Sequence, residues 1–447
     1  MTKIEQALKL ANDTQALHIG VDILYRLPAI FVEQFPEKKA IIVADNTTYS
    51  IAGKAASALL HNAGIQQDAP FIFTDPGLYA EYKYLEQLEN ALMQTEAIPV
   101  AVGSGTINDL TKLAAYRTGR QYFCVGTAAS MDGYTAYGAS ITYRGDKQTF
   151  SCPAPQAVLA DIEIIRHAPS EMTASGYADL FAKIPAGADW ILADELGVEA
   201  IDPTAWSIVQ GGLRKALAYP DGAHEGVVKA ITPLVEGLML GGFAMQWSQT
   251  SRPASGAEHQ FSHLWDMEHH THNGKTPAHG FKVGIATLYL SALYEQLLHH
   301  PIEQLDIDDC CAQWPEWEQQ EARAKKMFSD TDFLTTVLTE IRAKYVTKIA
   351  LAQQLETLKA RWPVIKERLT LQLIPSVEVK RRLQLVGAPV APEDIGISRA
   401  RLRNSFLRAQ HLRRRFTILD LAVRTACLEQ WLDQLFGSRK DVRVPRP

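Results

Sequence analysis

Between residues 38 and 168 short apolar runs alternate with helical runs, and this alternation admits few folds. KKAIIVAD (38–45), FIFTDP, AIPVAVGSG (97–105), QYFCVGT (121–127) and APQAVLADIEII (154–165) read as strands. NTTYSIAGKAASALLHNAG reads as a helix capped by Asn46 or Thr47 and stopped by Gly64. YAEYKYLEQLENALMQT and TINDLTKLAAYRTG are the next helices. Strand and helix in alternation with short connections is the pattern of a parallel, doubly wound sheet. GASITYRGDKQTFS reads as a hairpin turning at Gly145-Asp146. Residues 1–38 read as one helix and an irregular lead-in. After about residue 168 strand-like runs fade, and amphipathic helical runs continue to about residue 436. The expectation is a Rossmann-like α/β domain with a mostly parallel sheet over 1–168, then an all-helical domain over 169–447. The boundary falls at RHAPS, and the terminal SRKDVRVPRP reads as a frayed end.

A chain of 447 residues suffices for two such cores. Its net charge of -5 gives no global pull toward nucleic acid or anionic lipid. Cys124, Cys152, Cys310, Cys311 and Cys427 form no CxxC pair and read as reduced thiols. MTKIEQALKLANDTQ lacks the apolar core of a signal peptide, and no long uninterrupted apolar window is present. The expectation is a cytoplasmic protein without a membrane span. Basic clusters at Lys380-Arg381-Arg382, Arg399 to Arg403 and Arg413-Arg414-Arg415 interleave with aliphatic residues at helical spacing. They read as solvated helix faces or subunit contacts, not as a nucleic-acid surface.

Of 13 histidines, six (His259, His263, His269, His270, His272 and His279) fall between Ser255 and Gly280. Such a cluster points to a metal site or proton transfer, or else to a solvated histidine-rich loop. His259 and His263 share one helix face by their spacing of four. His279 follows a polar loop and directly precedes Gly280, whereas the His269 to His272 run looks solvated. Asp179 lies within SGYADLFAK, whose apolar flanks turn it inward. A buried carboxylate needs a cation or hydrogen bonds, and a metal held by His259 and His279 is the nearest cation that the chemistry offers. Two loops follow strand ends, where open α/β sheets bind ligands. Gly103-Ser104-Gly105-Thr106-Ile107-Asn108-Asp109 offers a phosphate a glycine turn and a helix N-terminus, or is a plain tight turn. Thr127-Ala128-Ala129-Ser130-Met131-Asp132-Gly133 offers small hydroxyls, with Asp132 able to accept from a substrate hydroxyl, or is a capped loop.

GSGTINDLTK, TAASMDGYTA, GYADL, Ala188-Asp189-Trp190, SGAEHQFSH, AHG and PEDIGISR stand in this order along the chain. Over about residues 20–430 the set resembles the iron-containing alcohol dehydrogenase superfamily, and most of all the bacterial branch of its glycerol-1-phosphate dehydrogenases. The resemblance implies one divalent metal (zinc, nickel or iron) on Asp179, His259 and His279. It implies substrate contacts at Asp132, Asp179 and His263, with His263 completing the catalytic set. It implies that NAD or NADP contacts Gly103, Gly105, Thr106, Ile107, Asn108 and Asp109 through its pyrophosphate, and Thr127, Ala128, Ala129, Ser130 and Asp45 elsewhere. The implied activity is metal-dependent, NAD(P)-linked interconversion of sn-glycerol 1-phosphate and dihydroxyacetone phosphate by a homodimer. The substrate is then a small phosphorylated polyol or ketone, with Lys183, Lys275 and Lys282 as candidates for its phosphate. Two departures stand out: Ala136 where relatives commonly carry serine, and HHTHNGKTP before His279. Rival readings are a glycerol or polyol dehydrogenase with the same metal site, a dehydroquinate synthase-like enzyme, and a non-catalytic nucleotide-binding protein of this fold.

Overall fold

A computed structural model describes residues 2–144 and 146–437. The expected turn residue Gly145 and the 438–447 tail lie outside the described residues. Six parallel strands form the main sheet: β1 (Ala16–Gly20), β2 (Ala40–Asp45), β3 (Phe71–Phe73), β4 (Ile98–Gly103), β5 (Phe123–Gly126) and β8 (Ala157–Asp161). Their order is β1-β8-β5-β4-β2-β3, and β6 (Ala139–Tyr143) pairs antiparallel with β7 (Asp146–Phe150) as the expected hairpin. β4, β5 and β8 are buried along their whole length, which is why they read as unbroken apolar runs. The register sets Gly103 beside Gly126 and Gly126 beside Ala160, so three strands end level at the carboxyl edge.

Helices α1 (Lys3–Leu10), α2 (Leu27–Gln34), α3 (Lys54–Asn62), α4 (Tyr82–Leu92) and α5 (Gly105–Arg117) accompany the strands. The fold class is the expected one: a parallel α/β part followed by a largely helical part. Three details differ. The lead-in holds a strand, β1, which is half-exposed at the sheet edge and too short to show a pattern. The run 154–165 is not all strand: Asp161 ends β8 and caps a helical turn, Ile162–Ile165, accepting the Glu163 N–H at 2.9 Å. The cap after β2 is Asp45, whose carboxylate accepts the Thr48 N–H at 2.8 Å. Gly64 does end that helical stretch, at φ +76°, the left-handed geometry that favours glycine.

The chain forms two compact units that interleave in sequence. The first holds the chain up to Phe181, Pro203–Ala254 and Leu385–Ala388; the second holds Ala182–Asp202, Ser255–Gln384 and the chain from Pro389 onward. The helical part that follows the last strand thus opens inside the first unit, with α6 (Ser170–Phe181), and the first unit runs past residue 168 to Phe181. The cause is packing. α8 (Val228–Ser248) lies against the 133–135 turn and β1. Its Gln246 side chain accepts the Asp13 N–H at 2.9 Å and donates to Thr135 O at 2.9 Å. Among the described residues α8 is also long and apolar enough to cross a bilayer, but 67% of that window is buried inside the protein. It is a core helix.

In the second unit α7 (Lys183–Glu195) packs on the long helix Lys348–Gln372, with Leu358, Trp362 and Ile365 buried. α9 (Ala257–Met267) packs on α10 (His279–His299) and α11 (Arg399–Ala409), with Phe261 edge-on to Phe406 at 4.7 Å. Five members of the basic clusters make ion pairs within the protein. Arg381 and Arg382 share Glu378, Arg401 meets Glu268 at 2.9 Å, Arg403 meets Glu429 and Asp433, and Arg414 meets Glu340. All five cysteines are free thiols.

Candidate functional site

In the first unit the glycine turn is sterically required. A Cβ on Gly103 would lie 2.6 Å from the Cβ of Ile107, so glycine alone lets α5 start directly at the end of β4. Ile107 is buried. The Asn108 amide oxygen accepts the Tyr122 hydroxyl at 3.0 Å, and Asp109 accepts the Ser140 N–H at 3.2 Å. The side chains of Ile107, Asn108 and Asp109 are committed to the protein. What the turn offers a ligand is the row of backbone N–H groups opening α5, with the positive end of the helix dipole behind it.

Beside it runs the 127–135 loop. The Thr127 N–H donates to Gly103 O at 3.1 Å. Lys112, fully buried on α5, donates to the carbonyls of Gly133, Ala136 and Gly138 at 2.9, 2.9 and 3.0 Å. From the other side α6 presses on the loop so closely that a Cβ on Gly176 would lie 2.0 Å from Ala129 O. α8 does the same: a Cβ on Gly242 would meet the Thr135 hydroxyl at 2.1 Å and Asp132 O at 2.8 Å. Asp179, on α6 and fully buried, accepts the Asp132 N–H at 3.1 Å. The first unit therefore brings Asp132, Asp179 and the 127–130 segment together. Asp45 stands at its strand end, engaged as a cap. Burial pushes the Cys124 thiol up to about 12, so it is no nucleophile at neutral pH.

In the second unit three histidines converge. The His259 ring is 6.5 Å from that of His263 and 5.3 Å from that of His279, the first residue of α10. The His259 Nδ1 lies 2.8 Å from Glu258 Oε1, and the His279 Nδ1 lies 3.3 Å from the Ser262 hydroxyl. Glu258 is fully buried and also accepts the Gly256 N–H at 2.6 Å. Asp189 on α7 anchors the start of α9: it accepts from Ala257 N–H at 2.7 Å, Ile418 N–H at 2.8 Å and the Tyr294 hydroxyl at 2.5 Å. Burial pushes the Asp189 carboxyl up to about 7, the charge of Glu258 adding to the effect and those three donors opposing it.

The His269 to His272 run is not uniformly solvated. His269 is exposed and His272 half-buried, but His270 is buried between Ile395 O and Arg401, 2.7 Å from each. Burial lowers its pKa, and it is a strut. Of the candidate phosphate lysines, Lys282 is ion-paired with Asp266, Lys183 is buried and Lys275 is exposed.

Among the described residues, Asp179 of the first unit and His259 and His279 of the second carry donor atoms of the kinds that can hold a metal, two of them buried and one half-buried. One carboxylate and two imidazoles suit zinc, nickel or iron. A sequence profile described as iron-containing alcohol dehydrogenase matches residues 18–169. A glycerol-1-phosphate dehydrogenase (NAD(P)+) of Halalkalibacterium halodurans is 34% identical over 313 residues, covering 67% of this chain and 78% of the relative. The chain belongs to the glycerol-1-phosphate dehydrogenase family of the iron-containing alcohol dehydrogenases. A second family member, from Geobacillus thermodenitrificans, is 30% identical over 387 residues, 86% of each chain. The crystal structure of a probable glycerol dehydrogenase from Sinorhizobium meliloti superposes with a TM-score of 0.60 at 15% identity, over 95% of this chain and 99% of that one, and so shares the fold.

For this family member, sequence reasoning missed Lys112, Gly176, Gly242, Gln246 and Glu258. Glu258 left a signal, since a charge directly before His259 on an otherwise inward-facing helix needs a partner. The others left none, because each is defined by what it meets across long stretches of chain.

Proposed function

We propose that this chain is a metal-dependent, NAD(P)-linked oxidoreductase that interconverts sn-glycerol 1-phosphate and dihydroxyacetone phosphate. The observation that carries the reading is the kinship to glycerol-1-phosphate dehydrogenases combined with a buried carboxylate and imidazole donor set. In this reading Asp179, His259 and His279 hold one divalent ion, and the N-terminus of α5 holds the cofactor pyrophosphate. Thr127 to Ser130 and Asp45 make further cofactor contacts. The ion, when bound, supplies Lewis acidity at the substrate oxygen. Asp132 fixes a substrate hydroxyl. His263, one helical turn from His259, orients the substrate and relays its proton. The enzyme works in the cytoplasm as a homodimer.

The test is oxidation of NADH and NADPH with dihydroxyacetone phosphate against dihydroxyacetone, after separate loading with zinc, nickel and ferrous iron. Turnover with the phosphorylated ketone alone supports the proposal and names metal and cofactor together. Turnover only with the unphosphorylated ketone makes the chain a polyol dehydrogenase. Silence with both, with metal and nicotinamide still bound, supports the non-catalytic reading.

A further inference from the structure

The two imidazoles proposed as metal ligands are not held alike. His279 has a hydroxyl, Ser262 Oγ, at 3.3 Å from Nδ1; His259 has a carboxylate, Glu258 Oε1, at 2.8 Å from Nδ1. Glu258 is an expensive residue to place there. It is fully buried, no lysine or arginine is paired with it among the described ion pairs, and its second oxygen, Oε2, has no hydrogen-bond partner. Its first oxygen also takes the Gly256 N–H at 2.6 Å. Gly256 is itself constrained: a Cβ there would lie 2.5 Å from Asp189 Oδ2 and 2.9 Å from Glu258 Oε2. Backbone and neighbour thus fix the carboxylate against one ring nitrogen. A buried, incompletely paired charge costs stability, so its retention calls for a compensating role.

We infer that Glu258 is a positioning residue for the metal. By accepting from His259 Nδ1–H it fixes the tautomer, directs Nε2 to the ion, and adds a negative charge behind the ligand that strengthens binding. Ser262 does the same for His279 without charge, so the two ligands differ in strength. The inference rests on the metal reading above.

The test is a titration of metal-free protein with Co2+ against a chromophoric chelator. E258Q keeps the shape and an acceptor oxygen but removes the charge. It should bind Co2+ about 10- to 100-fold more weakly than wild type and shift the visible Co2+ band, with the melting temperature of the metal-free protein no lower than that of wild type. S262A should change affinity by about threefold or less, because it removes only a neutral, long hydrogen bond. Wild-type affinity and spectrum in E258Q, with binding lost in H259A and H279A, would overturn the inference and leave the metal reading standing. No Co2+ binding by the wild type would overturn both. If E258Q does not fold, two-bond proton–nitrogen spectra of Zn2+-loaded, histidine-labelled wild type decide the point. A proton on His259 Nδ1 supports the inference, and metal on Nδ1 overturns it; the H259N variant identifies the resonance.

Discussion

Lys112 shows how much one side chain can organise. Its ammonium sits in the protein interior with three carbonyls around it, and those carbonyls belong to the loop that carries Asp132. Lys112→Met should remove the donor shared by three carbonyls, of which only Gly133 O keeps other donors, Asn108 Nδ2 and the Ala136 N–H, and should cost about 3 kcal/mol, read as a fall in the urea midpoint. Nothing in GSGTINDLTK announces this, because a lysine near the end of a helical motif normally faces water. His411 gives a pH-dependent counterpart. Burial lowers its pKa from 6.5 to about 4, the nearby Lys344 charge assisting, so the folded protein keeps it neutral. The unfolded chain takes up that proton near 6.5. Stability is therefore complete above that pH and is lost as pH falls toward 4, by about 3 kcal/mol at most. Urea unfolding at pH 4.5, 5.5 and 7 should show this slope in the wild type and a flatter one in His411→Phe. Of the three converging histidines, His259 and His263 were legible as neighbours because spacing of four on a helix is a local property, whereas His279 stands on the next helix. The Nδ1 partners depend on rotamers and were not.

At the scale of elements, the loop 127–135 is gripped by α5, α6 and α8, and two of the grips need a glycine. Gly176→Ala would drive a methyl group into Ala129 O, a backbone atom that can give way only by moving the loop. Turnover should fall on the order of a hundredfold, with a lowered melting temperature. Wild-type kinetics in that variant would mean that the loop does not contact cofactor or substrate. The strands β2, β4, β5 and β8 were readable because both their faces are buried and the apolar run is continuous. β1 was not, since an edge strand of five residues with a half-exposed end has neither run nor alternation.

For the whole molecule, the change of texture near residue 168 marks where strands stop, not where a core ends. Composition reports the kind of secondary structure; which core a helix joins depends on contacts such as those of Gln246 with Asp13, Thr14 and Thr135. The metal gives this scale its own prediction. A divalent ion that binds only the folded protein should raise global stability by about 2.7 kcal/mol at a hundredfold excess over its Kd. Melting curves with Zn2+ against EDTA should separate in the wild type and coincide in His279→Ala.

The strand that closes one margin of the sheet comes from the first twenty residues and covers the flank of Ala157–Asp161 through five paired positions. A recombinant version trimmed to start after Gly20 would bare a row of peptide groups, a template for pairing with another molecule. Shortening this stretch invites insoluble protein even where every proposed site residue is kept.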